Sequence, residues 1–251
     1  EGVLKNATVS KTKSGKYFVS VQCELEISEF SNNLPAVGVD LGLHHFATLS
    51  TGEKVAHPAY LRAAEKKLRR LQKALSRTKK GSANRAKARR RVAVLHEKIA
   101  NQRSDFLHKF SNRLVRSHGT VSLENLNVAG MVKCHSLAKS ISDSGWNTFK
   151  LQCEYKACQY GAGVQSVDKF FPSSKTCNVC GYVNNDLKLQ HRFRTCPECS
   201  AEHDRDINAA INICNFNTVG ATELQACGED VRPTPVLGGR RASMKQEAQC
   251  L

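Results

Sequence analysis

The chain has 251 residues, of which 40% are hydrophobic, and carries a formal net charge of +16 at pH 7. This length allows one large domain or two small ones, each with its own core. The sequence contains no apolar run long enough to cross a bilayer, and its first residues lack the pattern of a signal peptide, so a membrane protein is disfavoured. The first residue is not a methionine, and we expect the chain to be a fragment of a longer protein.

A β-hairpin is the first predicted element. Residues 7–26 alternate apolar and polar side chains, and Ser14-Gly15 supplies the turn between the two strands. An isolated hairpin is only marginally stable. We therefore expect it to belong to a larger sheet or barrel, of which this chain holds a part.

A second group of strands follows the turn-forming residues 32–35. Residues 36–40 are predicted to form a buried strand that ends in Asp40, and residues 45–50 a second strand. The turn at residues 51–53 then leads into a third strand.

The hydrophobic period becomes helical from about Tyr60. Apolar residues recur every three or four positions as far as Leu75, and the break at residues 80–82 separates this helix from a second one. The apolar positions of the second helix run from Val92 to Leu114. Two helices joined by a short loop form an antiparallel pair, whose basic faces we expect to point outward.

Sixteen lysines and arginines, but only two acidic residues, lie between Arg62 and Arg103. Such a segment is either the solvated face of a helix or a surface that binds a polyanion. Its one-sided charge favours nucleic acid, because each neutralised phosphate releases condensed counterions. The candidate contacts are Arg62, Lys66, Arg69, Arg70, Lys73, Arg85, Arg89, Arg90 and Arg91, with Lys175 further along the chain.

The second half of the chain alternates strands and helices, which is typical of an α/β domain. Gly119 ends the long helix, and strands are predicted at residues 120–124 and 164–167, with a helix at 146–160 between them. A short helix is predicted at 207–215. Because the chain then turns rich in glycine and charge, we expect residues 217–251 to form a disordered tail.

Four of the eleven cysteines form two Cys-x-x-Cys pairs separated by 15 residues: Cys177 with Cys180, then Cys196 with Cys199. This spacing is typical of a zinc ribbon, in which four thiolates surround one ion. A redox role is disfavoured because the pairs come as a matched set. Since four thiolates fill the coordination shell, we expect a structural zinc, with the nearby His191 and His203 as surface residues.

Three acidic residues lie at the ends of buried segments. Asp40 and Glu124 end predicted strands, and Asp206 begins a helix with Asp204 two residues earlier. Alone, each of these residues is more simply a cap or turn residue. Together, carboxylates at the ends of neighbouring strands would converge on one point, where their oxygens suit Mg²⁺ or Mn²⁺ and so phosphodiester cleavage by two cations.

Four segments, in their order along the chain, resemble the TnpB (OrfB-type) proteins of bacterial insertion sequences, which are relatives of the type V CRISPR nucleases. They are residues 37–42 (VGVDLG), 123–126 (LENL), 170–177 (FFPSSKTC) and 203–210 (HDRDINAA). The resemblance extends from about residue 7 to residue 215.

The resemblance implies an α/β fold: an RNase H-like (RuvC) mixed sheet with an inserted antiparallel basic helix pair and an inserted zinc ribbon. It implies Asp40, Glu124 and Asp206 as catalytic acids, with Asp204 and Arg205 as accessory candidates. It further implies a DNA target, a guide RNA that reads it by base pairing, no membrane partner, and a cytoplasmic, nucleoid-associated protein.

The implied domains are as follows: residues 1–33, the C-terminal remnant of a barrel-like wedge domain; 34–169, the nuclease core with a basic helical insertion at 58–118; 170–202, the zinc ribbon; 203–216, the last RuvC segment; and 217–251, the tail. Family members carry a long segment before the position of Ala7 that this chain lacks. We therefore expect a truncated nuclease.

Two other functions compete with the nuclease. A fragment with a zinc ribbon and basic helices can bind DNA or RNA without cutting it. A ribosomal or transcriptional zinc-ribbon protein is disfavoured by the three strand-end acids, because a pure binder gains nothing from carboxylates near phosphates.

Overall fold

The computed structural model describes residues 2–24, 32–168, 170–187, 191–226 and 243–249, with the backbone alone for 217–226 and 243–249. Its elements, in chain order, are β1 (Val3–Lys11), β2 (Tyr17–Glu24), β3 (Ala36–Leu41), β4 (His45–Leu49), β5 (Lys54–Ala56), α1 (Tyr60–Ser76), α2 (Ala83–Ser117), β6 (Thr120–Glu124), α3 (Val128–Met131), α4 (His135–Ser144), α5 (Trp146–Tyr160), β7 (Gly163–Val167), β8 (Phe193–Thr195), β9 (Glu202–Asp204), α6 (Arg205–Ala226) and β10 (Ser243–Gln249).

The chain forms two compact units, the first of which holds β1, β2, α1, the part of α2 up to Ser104, and β10. The predicted hairpin is confirmed, since β1 and β2 pair antiparallel, and β10 pairs with the other edge of β2. The helices α1 and α2 pack through Leu68, Leu95 and Ile99. The backbone carbonyl of Ser14 in the hairpin turn accepts a 2.8 Å hydrogen bond from Arg90 of α2. This unit thus joins the hairpin to the basic helices, which the predicted boundaries had assigned to separate domains.

A five-stranded mixed sheet with the order β5-β4-β3-β6-β7 forms the centre of the second unit. The strands β3, β6 and β7 are parallel to one another, whereas β4 and β5 run antiparallel. The α/β class and the mixed sheet predicted from the sequence are confirmed.

Helices cover both faces of this sheet. Val37 and Val39 of β3 are fully buried, and they belong to a core that the second part of α2 and α5 complete. Within this core, the rings of Phe46, Phe110 and Phe149 lie 5.2–5.8 Å apart between centroids. On the opposite face, β3 packs against α6. The result is three layers, helix on sheet on helix.

The structure differs from the sequence predictions in four elements. The short helices α3 and α4 were not predicted. The helix predicted at 207–215 extends over Arg205–Ala226, and Ser243–Gln249 is a strand, so a disordered tail over 217–251 is wrong for these two segments. The remainder of that predicted tail lies outside the described residues. Among the described residues, no helix has both the length and the hydropathy required to cross a bilayer.

Candidate functional site

Small residues allow β3 and α6 to approach closely. A Cβ on Gly38 would lie 2.0 Å from the carbonyl oxygen of Ala210 and 2.9 Å from the Cβ of Cys214. Side chains two apart in a strand share a face, so Asp40 projects from β3 on the same side as Gly38. Asp206 lies one helical turn before Ala210, on the same stripe of α6. The contact at Gly38 therefore directs Asp40 and Asp206 to one end of the interface between β3 and α6.

Glu124 reaches the same place from the neighbouring strand. It ends β6, which is parallel to β3 and in register with it through Val39 and Leu123. Parallel strands end at the same edge of a sheet. The three predicted acids, Asp40, Glu124 and Asp206, accordingly line one pocket of about 500 Å³.

Burial, together with neighbouring charges at Asp40, raises the pKa of two carboxyl groups in this pocket, those of Asp40 and Glu124. Burial raises the pKa of Asp40 well above its usual range, and the nearby charges of Glu124 and Asp206 raise it further, against a smaller opposing effect of Arg205 and Arg192. Burial also raises the pKa of Glu124. A group of partly buried carboxylates that repel one another has a strong electrostatic affinity for cations.

The donor set fits a divalent cation of the Mg²⁺ type, which prefers carboxylate oxygens. The arrangement is looser than a fully formed cage. Among the described residues, the four cysteines form the group in which at least three potential ligand atoms all lie within 4.8 Å of one another. The three carboxylates share a pocket without that close spacing.

Arg192 is a pocket residue that the sequence did not predict. Its Nη1 lies 3.0 and 3.2 Å from the two carboxylate oxygens of Asp206, and it lines the pocket together with Arg205. It lies in the stretch between the two cysteine pairs, which carries no periodic pattern, so no sequence signal points to it. Arg205, an accessory candidate, does lie in the pocket.

Asp204 has different hydrogen-bond partners from the three acids that line the pocket. Its Oδ1 accepts hydrogen bonds from the backbone N–H groups of Asp206 and Ile207, and its Oδ2 accepts one of 2.6 Å from Lys54. Burial would raise the pKa of Asp204, but these hydrogen bonds lower it overall. Asp204 therefore caps the N-terminus of α6 and does not line the pocket.

The four cysteines come together as predicted. Their Sγ atoms all lie within 4.8 Å of one another, with 3.7 Å from Cys177 to Cys199 and 3.6 Å from Cys180 to Cys196. Around one ion with Zn–S bonds of about 2.3 Å, the sulfurs of a tetrahedron lie roughly 3.8 Å apart. The observed spacing thus fits a metal held by four thiolates.

Each pair forms a tight turn of the same design. Cys177 accepts a backbone hydrogen bond from Gly181, and Cys196 accepts the equivalent bond from Ser200. Gly181 and Ser200 both adopt the left-handed conformation, with φ of 78° and 57°. His203, predicted at the surface, is instead buried, with its Nε2 3.0 Å from the Sγ of Cys177. Its place in β9, opposite β8, brings it under the first turn.

Two buried asparagines attach the segment that carries the four cysteines (residues 173–199, the cysteine segment) to α6. The Nδ2 atoms of Asn208 and Asn212 donate to the carbonyl of Thr176 at 2.7 and 2.8 Å, and Asn212 also donates to Ser173 at 2.8 Å. Asn208 further accepts a hydrogen bond from the backbone N–H of Asn178. Because Ser173 lines the pocket, the cysteine segment helps to form the pocket wall.

Most of the predicted nucleic-acid contacts are exposed on α1 and α2 of the first unit. Three of the predicted arginines have structural partners. Arg69 donates to Glu65 one turn earlier in α1. Arg85 donates to the carbonyls of Leu75 and Thr78 around the end of α1, and Arg90 donates to the carbonyl of Ser14. Lys175 lies near the first cysteine turn and donates to the carbonyl of Asn185. A groove of about 570 Å³ between the helices has an apolar floor and a basic rim. It is lined by Lys67, Leu71, Lys87, Arg90, Arg91, Val94, Leu95 and Lys98.

Two protein families match the chain. Residues 19–135 match OrfB_IS605, described as "Probable transposase", and residues 146–213 match the Cas12f1-like TNB domain. A Streptomyces pristinaespiralis protein that bears the name RNA-guided DNA endonuclease is 44% identical over 96% of this chain and 59% of its own length. The Escherichia coli protein InsQ, which bears the same name, is 34% identical over 92% of this chain and 60% of its own length. The chain thus spans about three fifths of these relatives.

The fold resembles that of two solved Cas12f structures. One is a complex of Cas12f1 with sgRNA and target DNA, with a TM-score of 0.53 and 18% identity over 83% of this chain and 55% of the other. The other is a CRISPR-Cas12f ternary complex, with a TM-score of 0.54 and 20% identity over 79% of this chain and 45% of the other.

Proposed function

We propose that the chain is a member of the OrfB_IS605 family of probable transposases, whose model it matches over residues 19–135, and that it acts as the nuclease part of an RNA-guided DNA endonuclease. In this proposal the second unit is an RNase H-like (RuvC) core that cleaves phosphodiesters with two divalent cations. Its partners are a DNA target and a guide RNA, and it works in the bacterial cytoplasm at the nucleoid. The observation that carries the proposal is the single pocket lined by Asp40, Glu124 and Asp206.

Each pocket residue has a role in this proposal. Asp40, Glu124 and Asp206 hold the cations, Mg²⁺ or Mn²⁺, through their carboxylate oxygens. Two cations held there would supply an activated water molecule and stabilisation of the leaving oxygen. Arg192 and Arg205 place guanidinium groups in the same pocket, and guanidinium pairs with the oxygens of a phosphate. Before the substrate arrives, Arg192 neutralises Asp206 through its paired contact.

The cysteine cluster has a structural role in this proposal. The thiolates of Cys177, Cys180, Cys196 and Cys199 hold one zinc ion as a ribbon inserted before α6. Four thiolates leave no position for an activated water. A zinc ion held by them would instead fix the segment that Asn208 and Asn212 attach to α6.

DNA cleavage by the 251-residue chain with Mn²⁺ tests the nuclease proposal. We expect Asp40→Asn to abolish cleavage and to weaken Mn²⁺ binding, measured by calorimetry, at least about tenfold. The matched control is Asp204→Asn, since asparagine is an equally good helix cap and this residue lies outside the pocket. Equal cleavage by wild type and Asp40→Asn would remove Asp40 from the site.

A second function, nucleic-acid binding without cleavage, is favoured by the basic groove of the first unit. Five cations surround an apolar floor there: Lys67, Lys87, Arg90, Arg91 and Lys98. A wild-type chain that binds DNA or RNA with a steep salt dependence, but leaves it uncut with every divalent cation, would support this function.

A further inference from the structure

A buried histidine lies beside the first cysteine turn. His203, in β9, is only 8% exposed, and its Nε2 lies 3.0 Å from the Sγ of Cys177. Among the described residues, the group of potential ligand atoms that all lie within 4.8 Å of one another consists of the four cysteine sulfurs. His203 is therefore a neighbour of the metal site and not one of its ligands.

The hydrogen in this contact has one possible position when a metal is bound. A cysteine that holds a metal does so as a thiolate, which has no proton to donate. The hydrogen between the two atoms must then be on Nε2 of His203, and the ring donates it to the sulfur of Cys177. A donor aimed at a thiolate stabilises the negative charge on that sulfur.

The charge of the cluster creates a need for such a donor. Four thiolates around one divalent ion leave a net negative charge, and two of the four cysteines, Cys177 and Cys196, are only 2% exposed. A buried charge is unfavourable unless hydrogen bonds or opposite charges compensate it. The N–H of His203 compensates part of this charge at Cys177.

The neighbouring strand supplies a positive charge on the same side. Arg194 of β8 pairs directly with His203 of β9, and directly paired residues have side chains on one face of the sheet. The guanidinium of Arg194 donates to the carbonyls of Lys175 and Thr176, just before Cys177, at 2.8 and 2.9 Å. The hairpin of β8 and β9 thus brings both a cation and an N–H group to the first cysteine turn.

We propose that His203 is a positioning residue of the metal site, whose Nε2–H holds the thiolate of Cys177 and so helps to retain the metal. Groups that donate to or orient the ligands of a metal commonly contribute about 10–100-fold to its affinity. The inference rests on the zinc site proposed above. It adds a role for a residue that the sequence analysis placed at the surface.

Zinc affinity of the 251-residue chain, measured by competition with a chelator, tests the proposal. His203→Phe keeps a ring of similar size but removes the donor, so zinc affinity should fall about tenfold or more. His203→Gln keeps an amide N–H near the position of Nε2 and should restore most of the affinity. The matched control is His191→Phe, which changes an exposed histidine of the same stretch and should leave the affinity unchanged. Wild-type zinc affinity in His203→Phe would overturn the proposal.

Cobalt absorption separates the hydrogen bond from packing. In the chain loaded with Co²⁺, the thiolates give a charge-transfer band whose energy falls as the electron density on sulfur rises. Loss of the donor in His203→Phe should therefore move the band to longer wavelength, and His203→Gln should move it back. A change of packing alone would leave the band in place. An unmoved band in His203→Phe, or a folded His203→Gln chain that behaves like His203→Phe, would count against the hydrogen bond.

Failure of this inference is distinguishable from failure of the zinc site. If the wild-type chain binds zinc and His203→Phe binds it equally well, the role of His203 alone is wrong. If the wild-type chain retains no zinc after dialysis, the zinc site itself is wrong, and the role of His203 fails with it.

Discussion

The close approach of β3 and α6 at Gly38 gives the sharpest test of how this pocket is built. In Gly38→Ala, the added Cβ would lie 2.0 Å from the carbonyl oxygen of Ala210 and 2.6 Å from the backbone nitrogen of Cys214. Both atoms belong to the backbone of α6, so neither can rotate away. Restoring ordinary contact, which begins at 3.4 Å, requires β3 and α6 to separate by about 1.4 Å.

This separation has two measurable consequences. An added methyl group in a packed interior costs about 1–3 kcal/mol, and a clash with fixed backbone belongs at the upper end of that range. For a protein of this size, about 3 kcal/mol lowers Tm by roughly 6–12 °C. Asp40 and Asp206 also move apart by more than the roughly 0.5 Å that functional sites tolerate, so Mg²⁺ or Mn²⁺ affinity should fall about tenfold or more.

Thermal unfolding and calorimetric titration with Mn²⁺ measure the two effects, and Gly119→Ala is the matched control. A Cβ on Gly119 would lie 2.3 Å from the carbonyl oxygen of Leu34, so a similar loss of Tm is expected. Gly119 precedes β6, at the opposite end of that strand from Glu124. Cation affinity should therefore be retained. Wild-type Tm and affinity in Gly38→Ala would refute the argument that this contact positions the acids.

Three further predictions concern charge and metal. The pKa of Asp40 is higher in the folded chain than its ordinary value near 3.8, so the stabilising contribution of Asp40 is present at low pH and is lost as the pH rises. Asp40→Asn should therefore raise Tm near pH 7 when a chelator removes divalent cations. A lower Tm across the neutral range would contradict this. Cys177→Ser should lose bound zinc, measured as metal per chain after dialysis, whereas Cys158→Ser, which changes an exposed thiol outside the cluster, should keep it. Changing the exposed Arg89 and Arg91 together to glutamine should flatten the slope of log affinity against log salt for duplex DNA by up to about 1.8, and an unchanged slope would mean that both face only solvent.

Much of the fold could be predicted because the apolar residues of most helices and strands recur with the period of that element. The helix Trp146–Tyr160 and the strand Thr120–Glu124 were predicted with the same bounds that the structure shows. The helix α4 was missed, since it has only ten residues and its N-cap residue, Cys134, makes no side-chain capping hydrogen bond. The strand β10 was also missed, because it joins β2 through backbone pairing and its sequence is mostly polar. Backbone pairing leaves no mark on composition.

In the pocket, too, residues placed by the local sequence could be predicted, whereas residues placed by contacts remote in sequence could not. Asp40 and Glu124 could be found because the end of a strand is set by the residues of that strand, and parallel neighbours end at one edge. Arg192 is in the pocket because of contacts remote in sequence: its segment is attached to α6 through Asn208 and Asn212, and β8 pairs with β9 just before Asp206. No local period encodes such contacts. The segment that carries the four cysteines is thus packed against α6, the helix that carries Asp206, and the same segment supplies the arginine that pairs with Asp206.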